Sequence, residues 1–292
     1  MEIKTTMKRV MSIQDISCIG KCSLTAALPI ISAMGVETAI VPTAVLSTHT
    51  QFKDFTFRDL TDDMESIKEH WAKENFEFDA IYTGYLGSEK QIDIVSDFFD
   101  TFSTDNNYII VDPAMADNGK MYPGFNPEFA LKMASLCQKA DILLPNISEA
   151  SFMLDVPYPG EDASEEEIRT LLLKLSELGS KKVVITGVTF NDGTFGFMGY
   201  DSDTKNFFHY GTEKISIKSH GTGDVFASTF TGALMNNFSI FDSLKIAADY
   251  TCACIKNTFE DAGAVNYAVN FEAEIPLSLI HISEPTRRSY IS

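Results

Sequence analysis

The chain has 292 residues, 45% of them hydrophobic and 22% charged, which allows a substantial core and excludes a disordered or fibrous protein. Its 23 Lys and Arg against 41 Asp and Glu give a formal net charge of −18, which repels a polyphosphate backbone and argues against a nucleic-acid partner. Cys18, Cys22, Cys137, Cys252 and Cys254 form no CxxC pair and no disulfide framework, and no run of about 18 apolar residues predicts a membrane span.

The first residues, MEIKTTMKRVMSIQD, lack the apolar core of a signal peptide, so the expected place is the cytoplasm. KRVMSIQ (8–14) reads as a buried strand, SLTAALPIISAMG (23–35) as a helix and ETAIVPTAVL (37–46) as a second strand. VLSTHTQF (45–52) then offers Ser, Thr and His side chains to a small polar ligand, although a lone His49 is more often structural than catalytic. DLTDDMESIKEHWAKEN (59–75) is helical, with Trp71 covering the core edge. FDAIYTGYL (78–86) is the next strand, and its Tyr82 and Tyr85 could wall a flat ring or sit in the core. Helix EKQIDIVSDFFDTF (89–102) leads to strand NYIIVDP (107–113). There Asp112, with Asp117 five positions on, is placed to hold Mg²⁺ through carboxylate and water; a turn-forming role is the alternative for Asp117. Strand ADILLPN (140–146) ends at Asn146, and Glu149 three residues later completes the spacing of a helix capping box, which accounts for both without a ligand. Helix SEEEIRTLLLKLSELG (164–179) and strand KKVVITG (181–187) continue the alternation.

Strand then helix, repeated, with β-branched strands buried on both faces, predicts an α/β protein built on a parallel sheet covered by helices. No internal repeat, low-complexity tract or dividing linker interrupts it. Ligands of such sheets sit beyond the carboxyl ends of the strands, where this chain carries polar, glycine-bearing sequence. An anionic ligand would have to be held against the acidic balance by helix N-termini, backbone amides and metal ions.

In HGTGDVFAST (220–229), Gly221, Thr222 and Gly223 precede a helix marked by Phe226, Phe230, Ala233 and Leu234 at helical spacing. The first N–H groups of that helix could stabilise charge on a transferred phosphoryl group, and Asp224 could accept a hydroxyl proton. An Asp N-cap describes the same residues equally well. Neither a Walker A pattern nor GxGxxG occurs.

Taken in order, SIQDISCIG, LSTHTQF, DAIYTGYLGS, VDPAMADNGKMY, ADILLPNISEA, VVITG and HGTGDVFAS resemble the successive signatures of pyridoxal/pyridoxamine kinases, a branch of the ribokinase superfamily. The match runs from about Lys8 to about Pro276. The resemblance implies a three-layer α/β/α sandwich with a central, mostly parallel sheet and no large lid domain. It implies ATP bound along the sheet rim and phosphorylation of the 5′-hydroxymethyl group of a vitamin B6 vitamer. In that reading Asp224 is the catalytic base and the Gly221, Thr222 and Gly223 backbone is the anion hole. Thr222, Asn146, Glu149, Thr186 and Gly187 line the nucleotide; Asp112, Asp117 and Glu149 form the Mg²⁺ and phosphate network; Asp15, Thr50 and Tyr85 meet the vitamer. A cytoplasmic homodimer is also implied.

Two departures from the family pattern carry information. Asp15 stands where many members place a Ser against the pyridine ring, and a carboxylate there favours a protonated ring nitrogen or a ligand amine, hence pyridoxamine. Leu144 replaces a Thr, removing a hydroxyl from a K⁺ site while keeping the backbone carbonyl.

The same rim would serve hydroxymethylpyrimidine in thiamin synthesis, and a non-catalytic vitamer-binding protein is the reading from a different class. A sugar kinase is disfavoured, because the span from Gln14 to Pro29 leaves little room for added lid strands. In LSLIHISEPTRRSYIS (277–292), the part from Leu277 to Arg287 resembles the translation of a sequencing-library adapter. Residues 1–276 are thus expected to form the kinase domain and 277–292 a non-native tail.

Overall fold

The computed structural model describes residues 7–215, 220–265 and 267–276, so the tail assigned to 277–292 lies outside the described residues. The elements are β1 (Arg9–Ser17), α1 (Leu24–Ala33), β2 (Glu37–Leu46), β3 (Phe57–Asp59), α2 (Thr61–Lys73), β4 (Ala80–Thr83), α3 (Glu89–Phe102), β5 (Tyr108–Val111), β6 (Ala116–Asp117) and β7 (Lys120–Met121). They continue with α4 (Pro127–Cys137), β8 (Ile142–Leu143), α5 (Ile147–Met153), α6 (Glu165–Ser176), β9 (Lys182–Thr189), β10 (Phe195–Asp201), β11 (Asn206–Thr212), α7 (Thr222–Met235) and α8 (Ile240–Glu260).

A nine-stranded sheet runs in the order β11-β10-β9-β8-β5-β4-β1-β2-β3. Pairing is parallel from β9 to β2 and antiparallel at both edges, where β10, β11 and β3 join. The chain therefore has the expected mostly parallel α/β architecture, and the described residues contain no large lid. β1 lies between β2 and β4, so the chain leaves it first to one side and later to the other, which opens a crevice at the carboxyl ends of β1 and β4.

Alternation along the strands supplies the two faces of the sheet. Met11, Ile13, Ile81, Ile109, Val111, Leu143, Val183 and Ile185 point to a core shared with α2 to α6. Val10, Ala80, Tyr82, Ile110, Ile142 and Val184 point to α1, α7 and α8. Each fully buried Phe, such as Phe98 or Phe230, contributes about 2–3 kcal/mol relative to exposure.

Helix starts follow their capping residues. Ser88 accepts from the Gln91 amide, Asn126 with Pro127 opens α4, and Ser164 forms a capping box with Glu167. The expected strand 140–146 shortens to β8, because Pro145 has no N–H for a further ladder bond. The backbone still tracks its neighbours, with Leu144 N–H donating to Val111 O and Thr186 N–H to Pro145 O, both at 2.9 Å.

Candidate active site

The carboxyl ends of β1, β4, β5, β8 and β9 step side by side along one rim, and the N-terminus of α7 faces them. At the end of β1, Asp15 is 3% exposed and accepts a hydrogen bond from Ser17 Oγ at 2.8 Å. Burial raises its pKa, opposed by the hydroxyls of Ser23 and Ser17. After β4, the Tyr85 ring packs 5.5 Å from Phe125, and burial, with the charge of Asp15 adding, pushes its phenol up to about 12. Tyr82, three residues earlier, points to the opposite face and is wholly buried under α7, so only Tyr85 of that pair can meet a ligand.

The turn after β2 places half-buried Thr50 beside His49. The Gln51 amide donates to His49 Nδ1 at 3.3 Å and His49 Nε2 pairs with Tyr267 O at 3.1 Å, which assigns the proton to Nε2. Burial lowers the His49 pKa, so the ring is neutral and fully engaged in bonding, the structural role that its isolation in the sequence favoured. Gln51 also pairs with His220, just before α7. The segment after α8 closes this side. Lys21 Nζ donates to Asn270 at 3.2 Å and to Glu272 at 2.8 Å, and the Tyr250 hydroxyl donates to Phe271 O at 2.8 Å.

After β5, Asp112 is buried, and its side chain finds no hydrogen-bond donor among the described residues. Burial raises its pKa well above the carboxylate range, and the charges of Glu149 and Asp224 add to the rise. Such a carboxylate suits a hard cation, which would relieve both effects. Asp117 sits in β6 ahead of the Asn118-Gly119 turn, whose φ values of 51° and 71° define a mirror-type hairpin turn. A Cβ on Gly119 would lie 2.6 Å from the Tyr158 ring.

Asn146 and Glu149 form the predicted capping box of α5. Glu149 N–H donates to Asn146 Oδ1 at 2.9 Å, and Asn146 N–H to Glu149 Oε2 at 2.8 Å. Met115 N–H occupies Glu149 Oε1 at 3.1 Å, and Asn146 Nδ2 donates to Ala116 O at 2.8 Å. Burial pushes Glu149 up to about 8 against these amides. With both oxygens engaged, Glu149 is a weaker ligand than Asp112, and among the described residues no group of three or more His, Cys, Asp or Glu is arranged to hold a metal. Thr186 and Gly187 lie within β9 rather than beyond it: Gly187, at φ 76°, forms a bulge between the β10 partners Gly196 and Phe197.

Gly221 caps α7 with φ 76°, and a Cβ there would lie 2.8 Å from Lys21 O. Thr222 and Gly223 fall inside the first turn rather than ahead of it. Among the described residues, a Cβ on Gly223 would meet nothing within 4 Å, and the first-turn amides have no partner within the helix. Asp224 is the third helical residue, not the cap, and accepts from the Ser23 amide. Burial pushes its carboxyl up to about 7, the Ser23 amide opposing and the charge of Asp15 adding to the rise. Ser23 and Lys21 hold positive φ values of 48° and 52°, strain that turns the Ser23 N–H toward this carboxylate.

Tyr122 escaped the sequence reading. Burial raises the pKa of its phenol, and the charges of Glu149, Asp117, Asp112 and Asp224 add to the rise. Only its place, just after a glycine-bearing loop at a strand end, pointed toward the rim.

The arrangement has counterparts among known proteins. A family model described as phosphomethylpyrimidine kinase matches residues 20–270. A thiamine biosynthetic bifunctional enzyme of Arabidopsis thaliana is 27% identical over 76% of this chain, which spans 41% of that enzyme's length. A pyridoxal kinase of Haemophilus influenzae is 24% identical over 87% of this chain and 90% of its own. A Bacteroides thetaiotaomicron protein, provisionally assigned as a phosphomethylpyrimidine kinase and crystallised with pyridoxal, superposes with a TM-score of 0.88. It is 36% identical, with 94% of this chain and 96% of that one covered.

Proposed function

Because the chain belongs to the phosphomethylpyrimidine kinase family and has the ribokinase-like fold of pyridoxal kinases, we propose that it transfers the γ-phosphoryl group of ATP to the 5′-hydroxymethyl group of a vitamin B6 vitamer. The observation that carries this reading is Asp224, a carboxylate that burial pushes up to about 7, set in the first turn of a helix whose leading amides have no partner within the helix. The vitamer oxygen attacks the γ-phosphorus, its proton passes to Asp224, the bond to the bridging oxygen breaks and ADP leaves. The amides of Thr222, Gly223 and Asp224 take up the charge developing on the transferred group. Asp112 and Asp117 would hold Mg²⁺, and the metal would supply charge neutralisation on the phosphates. Asn146, Glu149, Thr186 and Gly187 shape the nucleotide side of the rim. Asp15, Thr50 and Tyr85 form the vitamer side, with Asp15 pairing a ring nitrogen or amine of the ligand.

The family model and the thiamine-synthesis relative support a second substrate, hydroxymethylpyrimidine, for the same machinery. The test is ATP consumption with Mg²⁺, offering pyridoxamine, pyridoxal, pyridoxine and hydroxymethylpyrimidine separately. Turnover on a B6 vitamer that falls by about 10²–10⁴ in Asp224→Ala is the expected result. Turnover on the pyrimidine alone would move the assignment to thiamin synthesis. No turnover by folded protein would leave a vitamer-binding protein.

A further inference from the structure

Beneath the rim, the layer between the sheet and α7 contains polar groups that the transfer step does not use. Gln14 and Tyr82 share one face of the sheet with Asp112, since all three alternate with Ile13, Ile81 and Val111 of the opposite core. From above, Asp224 and Ser228 stand one turn apart on the same side of α7. Gln14, Tyr82 and Ser228 are all 0% exposed. The Tyr82 hydroxyl faces Ser228 and Gln14 and lies within the electrostatic reach of Asp112 and Asp224.

These groups are close but not bonded. Tyr82 Oη, Ser228 Oγ and Gln14 Oε1 each lack a hydrogen-bond partner, while Gln14 Nε2 donates to Ser12 Oγ at 2.9 Å. Room for the Gln14 amide exists because residue 84 is glycine; a Cβ there would lie 2.7 Å from Gln14 Oε1. Buried polar atoms are rarely left unpaired, and three of them gather in this one layer. A phenylalanine at 82 would fill the same volume, so the hydroxyl adds nothing to packing.

We propose that Tyr82 is a positioning residue for phosphoryl transfer: with Ser228, Gln14 and internal water it forms a polar column beneath Asp112 and Asp224 that fixes the orientation of both carboxylates. The column's hydroxyl and water protons donate, and Gln14 Oε1 and the carboxylates accept. The proposal rests on the reading of Asp224 as the base.

The test is Tyr82→Phe, with Ser228→Ala as the second variant, in the full-length protein. A positioning role lowers kcat about tenfold in either variant, with KM for ATP and vitamer held within twofold. In an Asp224→Ala background, Tyr82→Phe then lowers the residual rate by less than in the wild-type background, through Asp112 alone. Thermal melting reads the column without turnover: removing a bridged hydroxyl lowers Tm, whereas removing an orphaned one raises it. A kcat within twofold of wild type, or a higher Tm in Tyr82→Phe, overturns the proposal. Wild-type protein that phosphorylates neither vitamer nor pyrimidine overturns the kinase reading and the positioning role with it, and the melt then decides whether the column exists.

Discussion

At the N-cap of α7, an aspartate would spend its carboxylate on the amides of the first turn. Asp224 stands three residues further on, takes one amide from Ser23, and keeps an oxygen for chemistry. Its burial has a consequence for stability. The carboxyl pKa rises from 3.8 to about 7 on folding, so the folded state holds its proton more tightly than the unfolded state. Stability is full below about pH 4 and is lost as the pH rises toward 7. Asp224→Asn is therefore expected to melt progressively higher than wild type between pH 4 and 8; an offset that stays constant across that range would contradict the assigned burial. Asp15 is the other residue whose charge decides an outcome. Replacing it with Ser is expected to cut the preference for pyridoxamine over pyridoxine by about tenfold or more in kcat/KM, the loss of one charged hydrogen bond. Unchanged discrimination would remove Asp15 from vitamer selection. The capping-box spacing of Asn146 and Glu149 was legible in the sequence because it depends on local contacts alone. Tyr122 was not, because its surroundings are carboxylates brought from other elements.

Elements with apolar, β-branched strands were readable, since burial on both faces writes a continuous run. The β10–β11 hairpin was not. Its FGFMGYD sequence carries Gly196 and Gly199, which look like breakers. In the sheet they are close-approach positions: a Cβ on Gly196 would fall 2.0 Å from Tyr210 O, and one on Gly199 2.3 Å from the Phe208 ring. Gly196→Ala must push β11 outward and is expected to cost about 1–3 kcal/mol, measured by denaturant unfolding. Near-neutral stability would show that the edge strand yields freely. Helix α8 went unread because its polar and small residues blur the apolar stripe, and β3 because three exposed residues carry no pattern. Helix α4 was recoverable from Asn126-Pro127 alone.

On the scale of the whole molecule, the parallel order of the sheet and the convergence of its loops on one rim followed from strand–helix alternation and the rule for carboxyl ends. The antiparallel edges followed from nothing local, since they are decided by which strand is left to cover. A homodimer is part of the functional reading, and light scattering is expected to give twice the chain mass. With a net charge of −18 per chain, association should strengthen as salt screens the repulsion; a monomer at every ionic strength would exclude it. The clasp of Tyr267, Asn270, Phe271 and Glu272 on His49, Lys21 and Tyr250 ties the segment after α8 to the loops that follow β1 and β2. During synthesis, the complete sheet can leave the ribosome before this clasp exists. The sheet can thus form first, and the clasp that holds Lys21 and His49 forms last.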